Sequence, residues 1–529
     1  MLKNNIKVLL SVVLILIVSS GCAIAPATKN RSEGKARPFK ALQQLMEKEN
    51  LTDARYQRIH GYDYFQVDLP LRYQLQHYQD HSKLESRKDF IIDVLHKSTT
   101  VGEDAMALYI PRLSRAQLNN FISEYPDLVS DASKLYESYR QHALKAEAEE
   151  IDRVSNINTV AGLDQYWQSF VGNIEESVMT RDRLKRKVET FPAVPFIEAW
   201  ISYHEATDYR GPVKPDFKHF ETYTLSQDAG KPDDFMADNW RLLQHFAPVI
   251  VHEVNPDASY SIENDRLGEV YLTGKDYHDI KPGVDTKKPA VYAYIDHKKI
   301  QGVIVKQLVY TFFHPSHPKL SELDPEAGPF DGWTIRITLD QNNQPLDFES
   351  VSDCGCYYKN FPTNRLELLA SEAFPKKLQD KKFFVENSVA GKYDAVVPEL
   401  VTGINTNLAN DIVVYYSAGH HQLITIRSKQ HAELLNQAST QYKYQLHHYS
   451  ELENLPFDGR HASLFGPDGL VRGAYRLECT LLKPSGLYNA GQPRQRETQM
   501  IYFDEAQFDD PGLLATYLRL PPNAFGIKK

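Results

Sequence analysis

Apolar residues recur every three or four positions through the first half of this chain and every second position through the rest. Between about Phe39 and Asp234 the helical spacing dominates. In residues 111–125, PRLSRAQLNNFISEY, Gln117 follows Ser114 by three, the reciprocal pair that satisfies free backbone N–H groups at a helix start. Residues 128–154 are rich in Ala, Glu, Lys, Leu and Arg, and a second amphipathic stretch covers 160–188, stopping before Pro192. Residues 55–75 are aromatic and mixed, which predicts a short irregular packing segment.

From about Trp240 the period changes to two. In residues 291–297, VYAYIDH, Val, Ala and Ile fall on one face and Tyr292 and Tyr294 on the other. GVIVKQLVYTFF (302–313) is long, β-branched and aromatic. DGWTIRITLD (331–340) sets Trp333, Ile335, Ile337 and Leu339 against Thr334, Arg336 and Thr338, and NNQP then predicts a hairpin into LDFESVSD. DIVVYYSAG, YRLECTLL and TQMIYFD repeat the strand pattern. The expected fold class is α+β, with a helical N-terminal bundle over 39–235 and a largely antiparallel, sandwich-like β-rich domain over 236–529.

The first residues carry an address. Lys3 and Lys7 precede an apolar run from Val8 to Val18, and Ser19, Ser20 and Gly21 lead into Cys22. The run is short for a span of about 20 apolar residues and has the flanks of a secretory signal. It resembles a bacterial lipoprotein signal, in which the cysteine after a small-residue box becomes the lipidated first residue. Ser19 stands where that family usually has Leu, and an ordinary cleaved signal is the rival reading. The resemblance implies a signal peptide over 1–21, palmitate and diacylglycerol on Cys22, and a polar tether over 22–38. Several acyl chains hold a protein stably where one is marginal. Ala23, rather than the Asp that resembles an inner-membrane retention signal, points to the outer membrane, with the body in the periplasm.

Composition narrows the partners. Of 529 residues, 42% are hydrophobic and 11% aromatic, enough for substantial cores. A net charge of −9 argues against a nucleic-acid partner. The one notable basic run, TRDRLKRKVE (180–189), reads as a solvated helix face. The membrane, reached through the lipid, is the expected partner, beside a protein or envelope polymer.

Candidate chemistry centres on ESVSDCGCYYK (349–359), where one glycine separates Cys354 from Cys356. In an oxidising compartment these thiols can form a strained disulfide, act in redox exchange, or bind metal. Nitrogen partners for zinc are available in His314 and His317 of FFHPSHP and in His420 and His421 of SAGHHQ. That set needs the fold to bring three strand ends together. Adjacent strand residues point apart, so only one of His420 and His421 is expected to serve unless the strand has ended. A thiol hydrolase with His420 or His421 as base is the alternative, although DCGCYY matches the papain-type signature poorly. HEVNP (252–256) starts like a zinc-protease helix but has Pro256 at the second histidine. SELDPEAGPFD (321–331) reads as a solvated acidic loop, with acid–base pairing or calcium as functional alternatives. Arg472 and Arg476 share a face if they lie on a strand, a possible anion site with Arg494 and Arg496 downstream. Cys479 reads as a buried core thiol.

RYQRIHGYDYFQVD, ESVSDCGCYYK, SAGHHQ and GLVRGAYRLECTLLKPSGLYNAG together resemble a group of Gram-negative envelope lipoproteins of similar length. The likeness spans most of the mature chain and implies location and architecture, with no mechanism. A binding or scaffolding role in the envelope, with a Cys/His metal site, is the leading functional expectation. An envelope hydrolase, metal- or thiol-dependent, is its rival.

Overall fold

The computed structural model describes residues 38–52, 56–75, 77–126, 134–174, 215–227, 237–322, 324–379, 381–387, 397–437, 439–467, 469–481 and 512–526. Cys22, the tether before residue 38, the basic run 180–189, Arg494, Arg496 and the segment 498–504 lie outside them. No helix among the described residues is long and apolar enough to cross a membrane.

Among the described residues, the N-terminal part holds six α-helices: α1 (Pro38–Lys48), α2 (Leu69–Leu75), α3 (Leu84–Tyr109), α4 (Arg115–Glu124), α5 (Leu135–Ser155) and α6 (Val160–Gly172). Ser114 and Gln117 cap α4 reciprocally, as their spacing predicts. Instead of an irregular segment, residues 55–75 contain the hairpin of β1 (Gln57–Ile59) and β2 (Tyr62–Val67), followed by α2. Helix α3 lies almost on β2, since a Cβ on Gly102 would meet the Tyr64 carbonyl oxygen at 2.4 Å.

The rest is organised by one ten-stranded mixed sheet. Its members are β3 (Phe220–Leu225), β4 (Val249–Glu253), β7 (Ala290–Ile300), β8 (Val303–His317), β9 (Gly328–Leu339), β10 (Pro345–Ser352), β11 (Lys359–Pro362), β12 (Ile412–Tyr416), β13 (Leu423–Ser428) and β14 (Thr440–His448). Short hairpins β5 (Glu269–Thr273)–β6 (Lys281–Asp285) and β15 (Leu455–Phe457)–β16 (Arg460–Ala462) flank it. The order is β11-β10-β9-β8-β7-β14-β3-β4-β12-β13. Pairs β14–β3, β14–β7 and β12–β4 are parallel, so the sheet is mixed where a largely antiparallel one was expected. Strand β3 lies within the stretch expected to be helical, and a sheet strand therefore precedes residue 236. YRLECTLL, expected as a strand, contains the short helix Leu477–Leu481.

The sheet is rolled. In a flat sheet with strands about 4.8 Å apart, β8 and β12 would be roughly 24 Å from each other. Yet the Phe312 and Tyr416 rings, one from each strand, are 5.1 Å apart. The edge strands β11 and β13 also meet, where Lys359 Nζ donates to the Leu423 carbonyl at 2.6 Å. Burial pushes that lysine's pKa down to about 8. Period two then sorts the side chains. Ile250, Val291, Leu308, Tyr310, Ile335, Ile337, Phe348, Val414 and Tyr444 form the inner core. Val249, Val251, Val413 and Tyr415 face outward into a separate cluster. On the outside of β7 and β8, Tyr292 and Phe313 join the core of the N-terminal helices, so apolar packing is continuous between the two parts.

Arg112 fastens that junction. It is 1% exposed, and it donates to the Leu51 carbonyl at 2.7 Å and the Glu453 carbonyl at 2.6 Å. Arg112→Ala strands both acceptors and is expected to destabilise the protein by about 2–5 kcal/mol. Urea unfolding of the variant checks this; a loss below about 1 kcal/mol would contradict the role.

A candidate metal centre at the end of the rolled sheet

One end of the roll collects the C-terminal ends of β4, β8, β10 and β12 and the start of β9. The inward positions there are polar. His252 follows Ile250 by two on β4, His314 follows Phe312 on β8, and Ser350 follows Phe348 on β10. Ser350 accepts the Trp333 indole N–H.

Strand β12 ends at Tyr416, and the loop after it carries both predicted histidines. The loop is anchored by carboxylates: Ala418 N–H donates to Glu253 at 3.1 Å and Gly419 N–H to Asp265 at 2.8 Å. Gly419 takes φ +72°, and His421 is itself held at φ +51°, a region uncommon for residues with a Cβ. That turn aims His420 and His421 at two neighbouring groups of donors. The expectation that only one of them could serve assumed a continuing strand, and the strand has stopped.

Asp331, facing His314 across the β8–β9 ladder, is the hub. Its Oδ2 lies 2.8 Å from His421 Nδ1 and 3.3 Å from His317 Nδ1, and its Oδ1 accepts from Arg476 at 2.9 Å. Burial would raise its carboxyl, but Arg476 and the two imidazoles outweigh that and hold it well below the ordinary range. His421 is also buried, which alone would lower it; hydrogen bonds to Asp265 and Asp331 raise it instead. Behind His421 stand two neutral imidazoles. His314, stacked on it at 4.0 Å, is driven well below its usual pKa by burial, and His252 is lowered by burial to about 4.

Among the described residues, two groups of three bring their ligand atoms within 4.8 Å of one another: His317, Glu326 and His420, and His317, Asp331 and His421. The first opens to solvent, with Glu326 half-buried and His420 exposed; the second is buried. His317 belongs to both, its Nε2 lying 3.5 Å from Glu326. Two imidazoles and one carboxylate suit zinc or ferrous iron and leave coordination positions open.

The other predicted site residues sit elsewhere in this picture. Cys354 and Cys356 lie in the turn after β10 at the same end of the sheet, where Gly355 takes φ +88°. Neither is in a disulfide, and neither belongs to a donor group. Cys354 Sγ is 2.9 Å from Ser352 Oγ, and burial pushes its thiol up, away from the thiolate a nucleophile or zinc ligand needs. Arg472 and Arg476 do not make an anion pocket together. Arg472 donates to the carbonyls of Ser463, Asn50 and Thr52, and Arg476 is the internal counter-ion of Asp331. Cys479 is a buried thiol, as expected. Sequence reasoning passed over Asp265, set His252 aside with HEVNP, and gave Glu326 and Asp331 acid–base pairing or calcium only as alternatives. The last two belong to the stretch read as a solvated acidic loop; its position a few residues after the FFHPSHP histidines is the signal that pointed to them.

No protein-family model, curated protein or solved structure matches the chain.

Glu478, 2% exposed, lies beside this hub with Arg476 at 3.5 Å. Burial, then the charge of Glu326, push its carboxyl up to about 8, which favours its neutral form. A carboxyl raised on folding contributes stability below its unfolded pKa and loses it as pH rises through the folded value. The wild type is therefore expected to lose stability between pH 4.5 and about 8. Glu478→Gln keeps the neutral shape and should flatten that part of the Tm–pH curve; an unchanged slope would contradict the assignment.

Proposed function

We propose that this protein is a lipid-anchored component of the bacterial envelope whose folded body holds a divalent metal ion on His317, Glu326 and His420. The anchor reading rests on the leader and Cys22, with Ala23 favouring the outer membrane and the body in the periplasm. The metal reading rests on one observation: three donors of the right chemistry meet at the solvent edge of the sheet's end. Asp331 stands behind His317 on its other ring nitrogen, 3.3 Å away, where a carboxylate fixes the tautomer of a metal-binding imidazole.

Three protein donors leave room for water, and a divalent ion there lowers the water's pKa toward neutrality. The reaction class this supports is metal-assisted hydrolysis of an envelope polymer or peptide, with Glu326 and the imidazoles as ligands and Asp331 as the positioning residue. A thiol-dependent reaction is disfavoured by the protonated, buried Cys354.

Metal analysis of untagged protein purified from the envelope checks the site. Wild type and a Cys354→Ser/Cys356→Ser double variant are expected to retain equal metal, whereas Glu326→Gln/His420→Ala loses it from the solvent-edge position. Loss in the cysteine variant alone would return the site to sulfur. Palmitate labelling in cells checks the anchor: incorporation should vanish in Cys22→Ala, and unchanged incorporation would remove it.

A further inference from the structure

Extending the single-ion reading above, and resting on it, is a feature of His317. Both of its ring nitrogens face a carboxylate, Nε2 toward Glu326 at 3.5 Å and Nδ1 toward Asp331 at 3.3 Å. On the Nδ1 side, His317, Asp331 and His421 form the second donor group, with exposures of 4%, 6% and 0%. His421 presents Nδ1 to Asp331 at 2.8 Å, and its Nε2 lies 3.4 Å from Asp265 Oδ1. A metal-bound imidazole is commonly backed by a carboxylate on its other nitrogen, and Asp265 occupies that place for His421. Arg476 holds Asp331 Oδ1 at 2.9 Å, which leaves Oδ2 directed at the two imidazoles.

The spacing fits an ion. Bonds of 2.0–2.1 Å in a tetrahedral site put neighbouring donors about 3.3 Å apart. The His317–Asp331 separation is already 3.3 Å, and the His421–Asp331 separation is the 2.8 Å of a hydrogen bond whose proton an ion would replace.

We infer that the end of the sheet holds two divalent ions joined through the His317 ring, an outer one on His317 Nε2, Glu326 and His420 and an inner one on His317 Nδ1, Asp331 and His421. The ions lie roughly 6 Å apart, a ring width plus two metal–nitrogen bonds. Forming the bridge removes the remaining N–H proton of His317 and the Nδ1 proton of His421, and both go to solvent. The inner ion is buried and closed by Asp265 and Arg476, which suits a structural and electrostatic role. The outer ion keeps the open positions.

The test loads untagged wild type, His421→Gln, Asp265→Asn and Glu326→Gln with zinc, removes weakly held metal by dialysis, and counts ions per chain. Two in the wild type, one in His421→Gln and one in Glu326→Gln are expected, with Asp265→Asn weakening the second equivalent only. One ion in the wild type that survives His421→Gln and is lost in Glu326→Gln overturns the bridge but leaves the solvent-edge centre standing. One ion that is lost in His421→Gln and survives Glu326→Gln overturns the bridge and the solvent-edge assignment. No ion in the wild type overturns both. Should His421→Gln fail to fold, copper(II)-loaded wild type supplies the answer. Coupling through the bridge makes its paramagnetic resonance intensity fall well short of total copper, with full intensity restored in Glu326→Gln. Full intensity in the wild type contradicts the bridge.

Discussion

A buried carboxylate, Asp331, governs the arrangement of everything at the end of the rolled sheet. It draws together a strand end through His317, a loop through His421, and the segment after β16 through Arg476. In a site shielded from water each of those contacts compensates a charge that would be costly alone, and removing one partner of such a set typically costs about 3–5 kcal/mol. The geometry of the histidines is therefore a consequence of charge balance. His317 and His421 stand where they do because a buried anion needs them, and the same convergence makes the place attractive to a cation.

The roll supplies the second constraint. Period two along β4, β8 and β12 sends Ile250, Phe312 and Val414 into the core and carries His252, His314 and Tyr416 to its end on the same inward track. Aligned strand ends then deliver polar groups from distant parts of the chain to one location, capped by loops. A flat sheet with the same strands would leave β8 and β12 far apart and the donors scattered.

Much of this was legible along the chain, and the gaps have physical causes. The capping pair Ser114–Gln117 and the alternation of Trp333, Ile335, Ile337 and Leu339 follow from local rules, whereas the convergence of the ends of β8, β10 and β12 was a condition that only the fold could meet. Four of the candidate ligands, His314, His317, His420 and His421, are close together, where one from each pair was expected. The cysteines drew attention because thiols are rare and conspicuous, yet what matters for binding is which atoms meet, and carboxylates did so instead. Asp331 and Glu326 were discounted because an acidic stretch next to prolines looks like solvated loop until the roll draws it in. The parallel pairs β14–β3, β14–β7 and β12–β4 were invisible because they join segments separated by long stretches of chain, and no local period reports such a pairing. Arg472 and Arg476, four apart, would share a face on a strand; the chain instead turns between them, with Gly473 at φ +71°, and they go to different partners.

X-ray absorption at the zinc edge, on untagged protein loaded with zinc, reads the donor atoms themselves. A shell of nitrogen and oxygen at about 2.0–2.1 Å is expected, with imidazole scattering beyond it and no sulfur. Sulfur at about 2.3 Å would hand the site to Cys354 and Cys356, and a spectrum of hydrated zinc would mean that histidines and carboxylates at the end of this sheet hold each other and nothing else.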